Sequence, residues 1–138
     1  MAATNTAIGA AKAIIHKDGE YLLQLRSNIP SIVYPNCWSF FGGEIEEGET
    51  PWQALQRELE EEINWHVEEG VFLYEWLDKQ VECSVHFFVL NFTQKKGTLI
   101  LREGRDFRWF SLEESSALIN TTPQIINHLK EAKNRYFL

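Results

Sequence analysis

Cysteine is scarce in this 138-residue chain. Cys37 and Cys83 are the two, and neither lies in a C-x-x-C pair or beside a histidine at metal spacing. That pattern excludes a disulfide scaffold and a thiolate zinc site, and predicts two reduced, partly buried thiols. Positive charge is also short. Thirteen Lys and Arg stand against twenty Asp and Glu, for a net charge of −7 and a pI near 5.1. Such a chain lacks the basic face that a nucleic-acid polymer requires of its partner. Long apolar runs are missing too. None approaches the roughly 20 residues of a membrane span, and MAATNTAIGAAK at the N-terminus has no basic segment followed by an apolar one. The reading is a cytoplasmic protein with no membrane partner. There is no internal repeat and no low-complexity linker, so one domain over 1–138 is expected.

What is present is a globular composition. Hydrophobic residues make up 44% and charged residues 24%, both near the average for folded domains. A chain of this length buries about two thirds of its unfolded surface without staples. Five Trp, nine Phe and four Tyr exceed what a small core consumes and leave some rings free to line a ligand pocket.

The order of elements is legible. Residues 8–16, IGAAKAIIH, read as a strand. Asp18-Gly19 is a hairpin turn, and Tyr21 to Leu25 the return strand. Residues 27–37, with Pro30, Pro35, Asn28 and Asn36, make an irregular loop. Trp38 to Phe41 is a short apolar run ending at Gly42-Gly43. Thr50 as N-cap, Pro51 in the first helical position and Gln53 completing a capping box predict a helix from Pro51 to about Ile63. Leu55, Leu59 and Ile63, joined by Trp52, form its apolar stripe. Asn64 suits a left-handed stop. Residues 71–77 and 81–91 read as strands, and 99–101 and 107–110 as further strand segments. Ser111 opens a short helix, and Thr122-Pro123-Gln124 a last one with Ile125, Ile126 and Leu129 on its apolar face. The fold class is therefore α+β, built as an α/β/α sandwich.

Negative charge is concentrated between Gly43 and Trp65. Glu44, Glu46, Glu47, Glu49, Glu58, Glu60, Glu61 and Glu62 all fall there. On the helix, Glu58, Glu61 and Glu62 share one face, since residues three and four apart are neighbours. Three unshared carboxylates repel one another, and a divalent cation removes that cost. Oxygen ligands suit magnesium, calcium or manganese rather than zinc. Taken alone, a helix face of glutamates is more often simply a solvated face.

The spacing of the whole stretch resembles the Nudix box, G-x5-E-x7-R-E-U-x-E-E-x-G-U with U a bulky apolar residue. Gly43 opens it, Glu49 follows after five residues, and Arg57-Glu58 after seven more. Leu59 fills the bulky position, Glu61-Glu62 the acidic pair, and Trp65 closes it. Asn64 departs from the family's glycine, and asparagine tolerates the same left-handed backbone. Trp38 to Gly42 and Phe107 to Leu112 are also similar to small MutT-type members. The resemblance implies a mixed sheet between helices, and metal-dependent hydrolysis of a nucleoside diphosphate linked to another group X. The partner is then a small nucleotide-type molecule. It implies Glu58, Glu61 and Glu62 as metal ligands, with the Gly43 or Gly42 carbonyl adding one, and Mg2+ (or Mn2+) as the cofactor. Glu62 is the first choice for the indispensable ligand, and Glu58 either binds metal or orients the attacking water. Arg57 and Glu49 are expected to form an ion pair that fixes the loop to the helix.

Other positions follow from the same resemblance. A later loop carboxylate often serves as base or extra ligand, and Glu103 is the candidate, against the plain role of an exposed acid. The base is expected on the sheet face opposite the apolar stripe. Arg26 is a candidate to meet a phosphate. Tyr34 and Trp38 are candidates to stack on a base, against the commoner role of core packing. His86, alternating with Val85 and Phe87 in a strand, is a candidate to face the cleft, against the commoner role of a hydrogen-bonded strand residue. A homodimer is one assembly open to such a chain. The competing function is a module that binds a nucleotide or sugar-nucleotide without cleaving it. Such modules generally lose a box glutamate, and here Glu58, Glu61 and Glu62 are all present.

Overall fold

The protein is described here from a computed structural model covering residues 9–136. Its centre is β1 (Gly9–Lys17), an apolar strand that pairs on both edges. Asp18 and Gly19 both have positive φ, 52° and 79°, as a tight hairpin turn requires. The turn returns the chain as β2 (Glu20–Leu25), antiparallel to β1 only from Ile15 to Lys17. From Ala10 to Ala13 the same edge of β1 is taken instead by β4 (Phe41–Glu44). The other edge pairs in parallel with β6 (Cys83–Asn91), from Gly9 against Ser84 to His16 against Asn91. β6 pairs with β5 (Val71–Asp78), and β2 with both β3 (Trp38–Ser39) and β7 (Asp106–Phe110), all antiparallel. The result is a seven-stranded mixed sheet.

Alternation along the strands makes two cores. Ala11, Ala13, Ile15, Phe41, Phe88 and Leu90 face α1 (Pro51–Ile63) and meet Leu55, Leu59 and Ile63. Ile14, Leu23, Phe40, Phe87 and Val89 face the other way, toward Ile125, Leu129 and Ala132 of the last helix (Ile125–Tyr136). A short helix, α2 (Leu112–Ser116), precedes that one, which is therefore α3. This is the expected α/β/α sandwich.

The local signals act as their chemistry requires. The Thr50 hydroxyl accepts from the Gln53 amide, and the Gln53 side chain accepts from the Thr50 amide. Asn64 ends α1 in the left-handed region, φ 55° and ψ 38°. Two expectations need correction. Leu99 to Leu101 forms no strand: its leucines pack onto the α1 core, and the next amide, Arg102 N–H, donates to the Glu62 carbonyl at 2.7 Å. β6 begins at Cys83 rather than 81, because Glu82 lies in the left-handed region at φ 52° and belongs to the turn. Ile8, placed in the first strand from the sequence, lies outside the described residues. Among the described residues both cysteines are free thiols, and no helix is long and apolar enough to cross a membrane.

Candidate active site

The acid-rich stretch is held by one arginine. The Arg57 guanidinium grips Glu49 with two bonds, Nε to Oε2 at 2.7 Å and Nη2 to Oε1 at 3.0 Å. It also donates to Glu58 Oε2 at 3.0 Å, Glu61 Oε1 at 3.4 Å and the Glu44 carbonyl at 3.0 Å. Glu46 lies 3.6 Å away. A planar fork can serve several carboxylates at once, which an ammonium cannot. The bond from Arg57 holds the Glu49 carboxyl below its ordinary range, and Glu49 in return raises the guanidinium. The ion pair that ties the loop to the helix is thus part of the fold.

Glu62 stands apart from that network. It is 6% exposed, and its Oε1 accepts from the Gly42 amide at 3.1 Å. Burial is the main cause that pushes its carboxyl up to about 8; the Lys12 charge opposes the rise and Glu58 adds to it. Glu58 is raised as well, again chiefly by burial, with the Arg57 bond pulling the other way. β4 makes room for these acids by lacking side chains. A Cβ on Gly43 would stand 2.6 Å from the Glu58 carboxyl carbon. Gly42 has φ 134°, and a Cβ there would meet the Ala11 carbonyl oxygen at 2.0 Å.

The donor set fits a hard divalent cation: carboxylates on one helix face, and at Gly43 a cradle against Glu58 that a Cβ would fill. The side chains are not gathered on one point, however. Among the described residues no three His, Cys, Asp or Glu side chains converge at metal distance. Glu58 and Glu61 turn to Arg57, and Glu62 to the Gly42 amide. Each carboxylate takes its nearest donor, as mutual repulsion favours. Coordination therefore needs side-chain rotation, not a change of fold.

The other candidates divide. Arg26 lies near the acids: its charge acts on Glu62 and on Lys12, and its Nε donates to the Val33 carbonyl at 2.8 Å. Burial holds it below the ordinary arginine range. Tyr34 is half-buried and pinned by its hydroxyl, which donates to Asp78 Oδ2 at 2.9 Å and approaches Gln80 Oε1 at 3.1 Å. Burial and the bond to Asp78 push that hydroxyl up to about 12. Trp38 takes the commoner of the two roles weighed for it, core packing. It is 7% exposed, set edge-on against Phe110 at 5.0 Å, and its backbone bonds to Asn120 and Thr122. A ring so enclosed has no face left for a base. Glu103 is exposed, and its charge reaches Glu62. His86 lies 3.8 Å from Glu75 through Nε2, while its buried Nδ1 has no partner among the described residues. Lys12 was overlooked from sequence, although a lone lysine inside GAAKAII was the available signal. Its Nζ lies 3.4 Å from the Gly42 carbonyl and 3.5 Å from that of Phe40.

This geometry can be set beside known proteins. The NUDIX domain family model matches residues 6–131. The chain belongs to the Nudix family. It is 31% identical over 108 residues to the CTP pyrophosphohydrolase of Escherichia coli (strain K12), covering 78% of each protein. It is 39% identical over 70 residues to the 8-oxo-dGTP diphosphatase of Proteus vulgaris, covering 44% of this chain and 61% of that one. The solution structure of the Escherichia coli ORF135 protein superposes with a TM-score of 0.71 at 28% identity, over 94% of this chain and 91% of that one. The fold is a Nudix sandwich, and the chain is a Nudix hydrolase acting on diphosphate bonds. Nudix hydrolases generally need divalent metal ions, which agrees with the oxygen donors assembled on α1.

Proposed function

We propose that this Nudix hydrolase cleaves the diphosphate of a nucleoside triphosphate, with Mg2+ (or Mn2+) held by Glu58, Glu61, Glu62 and a carbonyl of Gly42 or Gly43. The observation that carries the reading is Glu62: a carboxylate 6% exposed, among other acids, bonded to a single amide. Burying an acid without a touching cation is costly, and a divalent ion offsets that cost. The names of the two curated relatives support a nucleotide as the substrate. When bound, such an ion polarises phosphoryl oxygens and lowers the pKa of its water.

The protein's own groups have separate tasks in this reading. Glu62 would hold the cation, with the Gly42 amide fixing the orientation of its carboxylate. Glu58 has its carboxyl raised by burial, and holds or accepts a proton of the attacking water. Arg57 and Glu49 keep the loop before α1 against the helix, so that the glycine carbonyls stay in place. Arg26 meets a phosphate from the sheet side. Glu103 joins as base or extra ligand by movement of the loop that Arg102 ties to α1. Tyr34 borders the base from the loop of residues 27–37.

The test is phosphate release, with inorganic pyrophosphatase added for the triphosphates and alkaline phosphatase, which frees phosphate from phosphomonoester products, added for the sugar-nucleotides and dinucleoside polyphosphates. The panel covers ordinary and oxidised nucleoside triphosphates, sugar-nucleotides and dinucleoside polyphosphates, with Mg2+ and with EDTA. Mg2+-dependent release from a triphosphate supports the proposal. Release from another class alone keeps the metal chemistry and changes X. Silence in a folded protein that binds Mg2+ overturns hydrolysis of all four classes.

A further inference from the structure

Lys12 is a lysine in the middle of a central strand, a position where charge is expensive. Its neighbours Ala11 and Ala13 face α1, so its own side chain leaves the sheet on the α3 face, beside Phe87. There its ammonium contacts two carbonyl oxygens, those of Gly42 and Phe40. It makes no direct ion pair among the described residues, yet its charge acts on both Glu62 and Glu58. Gly42 is the shared element: its amide holds Glu62 and its carbonyl holds Lys12. The carbonyl that Lys12 occupies is therefore one of those a metal would take.

We infer that Lys12 is a built-in counter-cation that holds down the metal affinity of the free protein, so that a divalent ion binds tightly only together with a polyanionic substrate. The inference rests on the metal site proposed above. Without substrate, Lys12 stabilises the acids and repels an incoming cation. A substrate polyphosphate on the α3 face offers the ammonium stronger partners than two carbonyls. As the ammonium turns to phosphate, Gly42 is released and the repulsion at the acids falls. Ion and substrate then favour one another, and the coupling is reciprocal.

The experiment is titration of Mn2+ into the substrate-free protein, followed by calorimetry and by loss of the free-ion paramagnetic resonance signal. Lys12→Gln removes the charge and keeps a donor for Gly42. Lys12→Met removes both. Each is expected to bind Mn2+ about tenfold more tightly than wild type, since a unit charge near a divalent ion acts at this scale in a partly buried site. Lys12→Arg should hold the wild-type affinity. The KM for substrate should rise in the Gln and Met variants, opposite to the change in metal affinity. Circular dichroism and melting establish that each variant is folded. An unchanged or weaker Mn2+ affinity in folded Lys12→Gln overturns the inference. Wild-type protein that binds no Mn2+ or Mg2+, with or without substrate, overturns the metal reading instead, so the two failures are distinguishable.

Discussion

Arg57 and Lys12 both act on the carboxylates of α1, and they do so differently. Arg57, on the loop side, touches Glu49, Glu58 and Glu61 and the Glu44 carbonyl. Lys12, on the sheet side, touches carbonyls and reaches Glu62 and Glu58 only through space. The first is architecture. Its bonds set where the loop lies, and it would be there whatever entered the site. The second is a charge without a direct ion-pair partner among the described residues, placed where a ligand can take it over. The lesson is that an acidic cluster can be stabilised without being neutralised, and the acid left without a contact cation, Glu62, is the one with most to gain from a metal.

The sharpest break in this comparison is Glu62→Gln. Turnover should fall on the order of 10²-fold or more, because in the proposed mechanism a metal held by Glu62 would carry most of the chemistry, while circular dichroism stays unchanged. The same variant should be the more stable protein in EDTA at pH 8. The wild-type carboxyl moves from 4.5 unfolded to about 8 folded. The folded state therefore holds an extra proton between those values, and the stability contributed by Glu62 is lost as pH rises through that range. Glutamine titrates nowhere, so the variant should lead by on the order of 1–3 kcal/mol at pH 8, with the gap closing toward pH 5. Chemical denaturation at both pH values checks it; an equal or lower stability at pH 8 would show that Glu62 is well compensated.

Arg57→Lys comes next. A lysine cannot reproduce the bidentate grip on Glu49 while serving Glu58 and Glu61. Activity should drop roughly tenfold or more, with little change in the intrinsic Mn2+ affinity that Lys12 controls. A large shift in metal affinity would merge the two roles that the geometry separates.

A third buried group sharpens the contrast from outside the site. His128 is 3% exposed, stacked on Phe87 at 4.2 Å, with Nδ1 2.6 Å from the Tyr74 hydroxyl and Nε2 unpartnered among the described residues. Burial lowers it to about 4. The unfolded chain binds this proton below pH 6.5 and the folded protein does not, so stability is lost as pH falls from 6.5 toward 4. The loss should reach about 2–3 kcal/mol at pH 4 and shrink in His128→Gln, read from denaturant midpoints across pH. The smallest effect is expected from Asn64→Gly: activity within about twofold, because both residues accept the left-handed stop of α1.

Much of this architecture was legible because it depends on local chemistry. Thr50, Gln53 and Asn64 fix the ends of α1 through short-range bonds. Asp18-Gly19 sets its hairpin by backbone sterics alone, and the period of Leu55, Leu59 and Ile63 names the buried face. The box glutamates, Arg57 and Gly43 stood out through the resemblance of 23 residues to the Nudix box, and their metal and catalytic roles are expectations from that resemblance. What escaped depends on contacts far apart in the chain. Lys12 meets Gly42 only because β4 replaces β2 along β1. Trp38 is enclosed by Phe110 and by the chain at 120–122, which no local pattern announces. Leu99 and Leu101 look like strand residues, yet the nearest open ladder partner is the end of a helix.

Gly42 is where three constraints meet. Its amide holds an acid, its carbonyl holds a lysine, and a single added carbon would strike the strand beside it at 2.0 Å. A side chain at this position forces the neighbouring strand to shift and strains a backbone at φ 134°. β4 is thus a rigid joint: the acid of α1, the lysine of β1 and the strand edge all take their positions from one residue without a side chain.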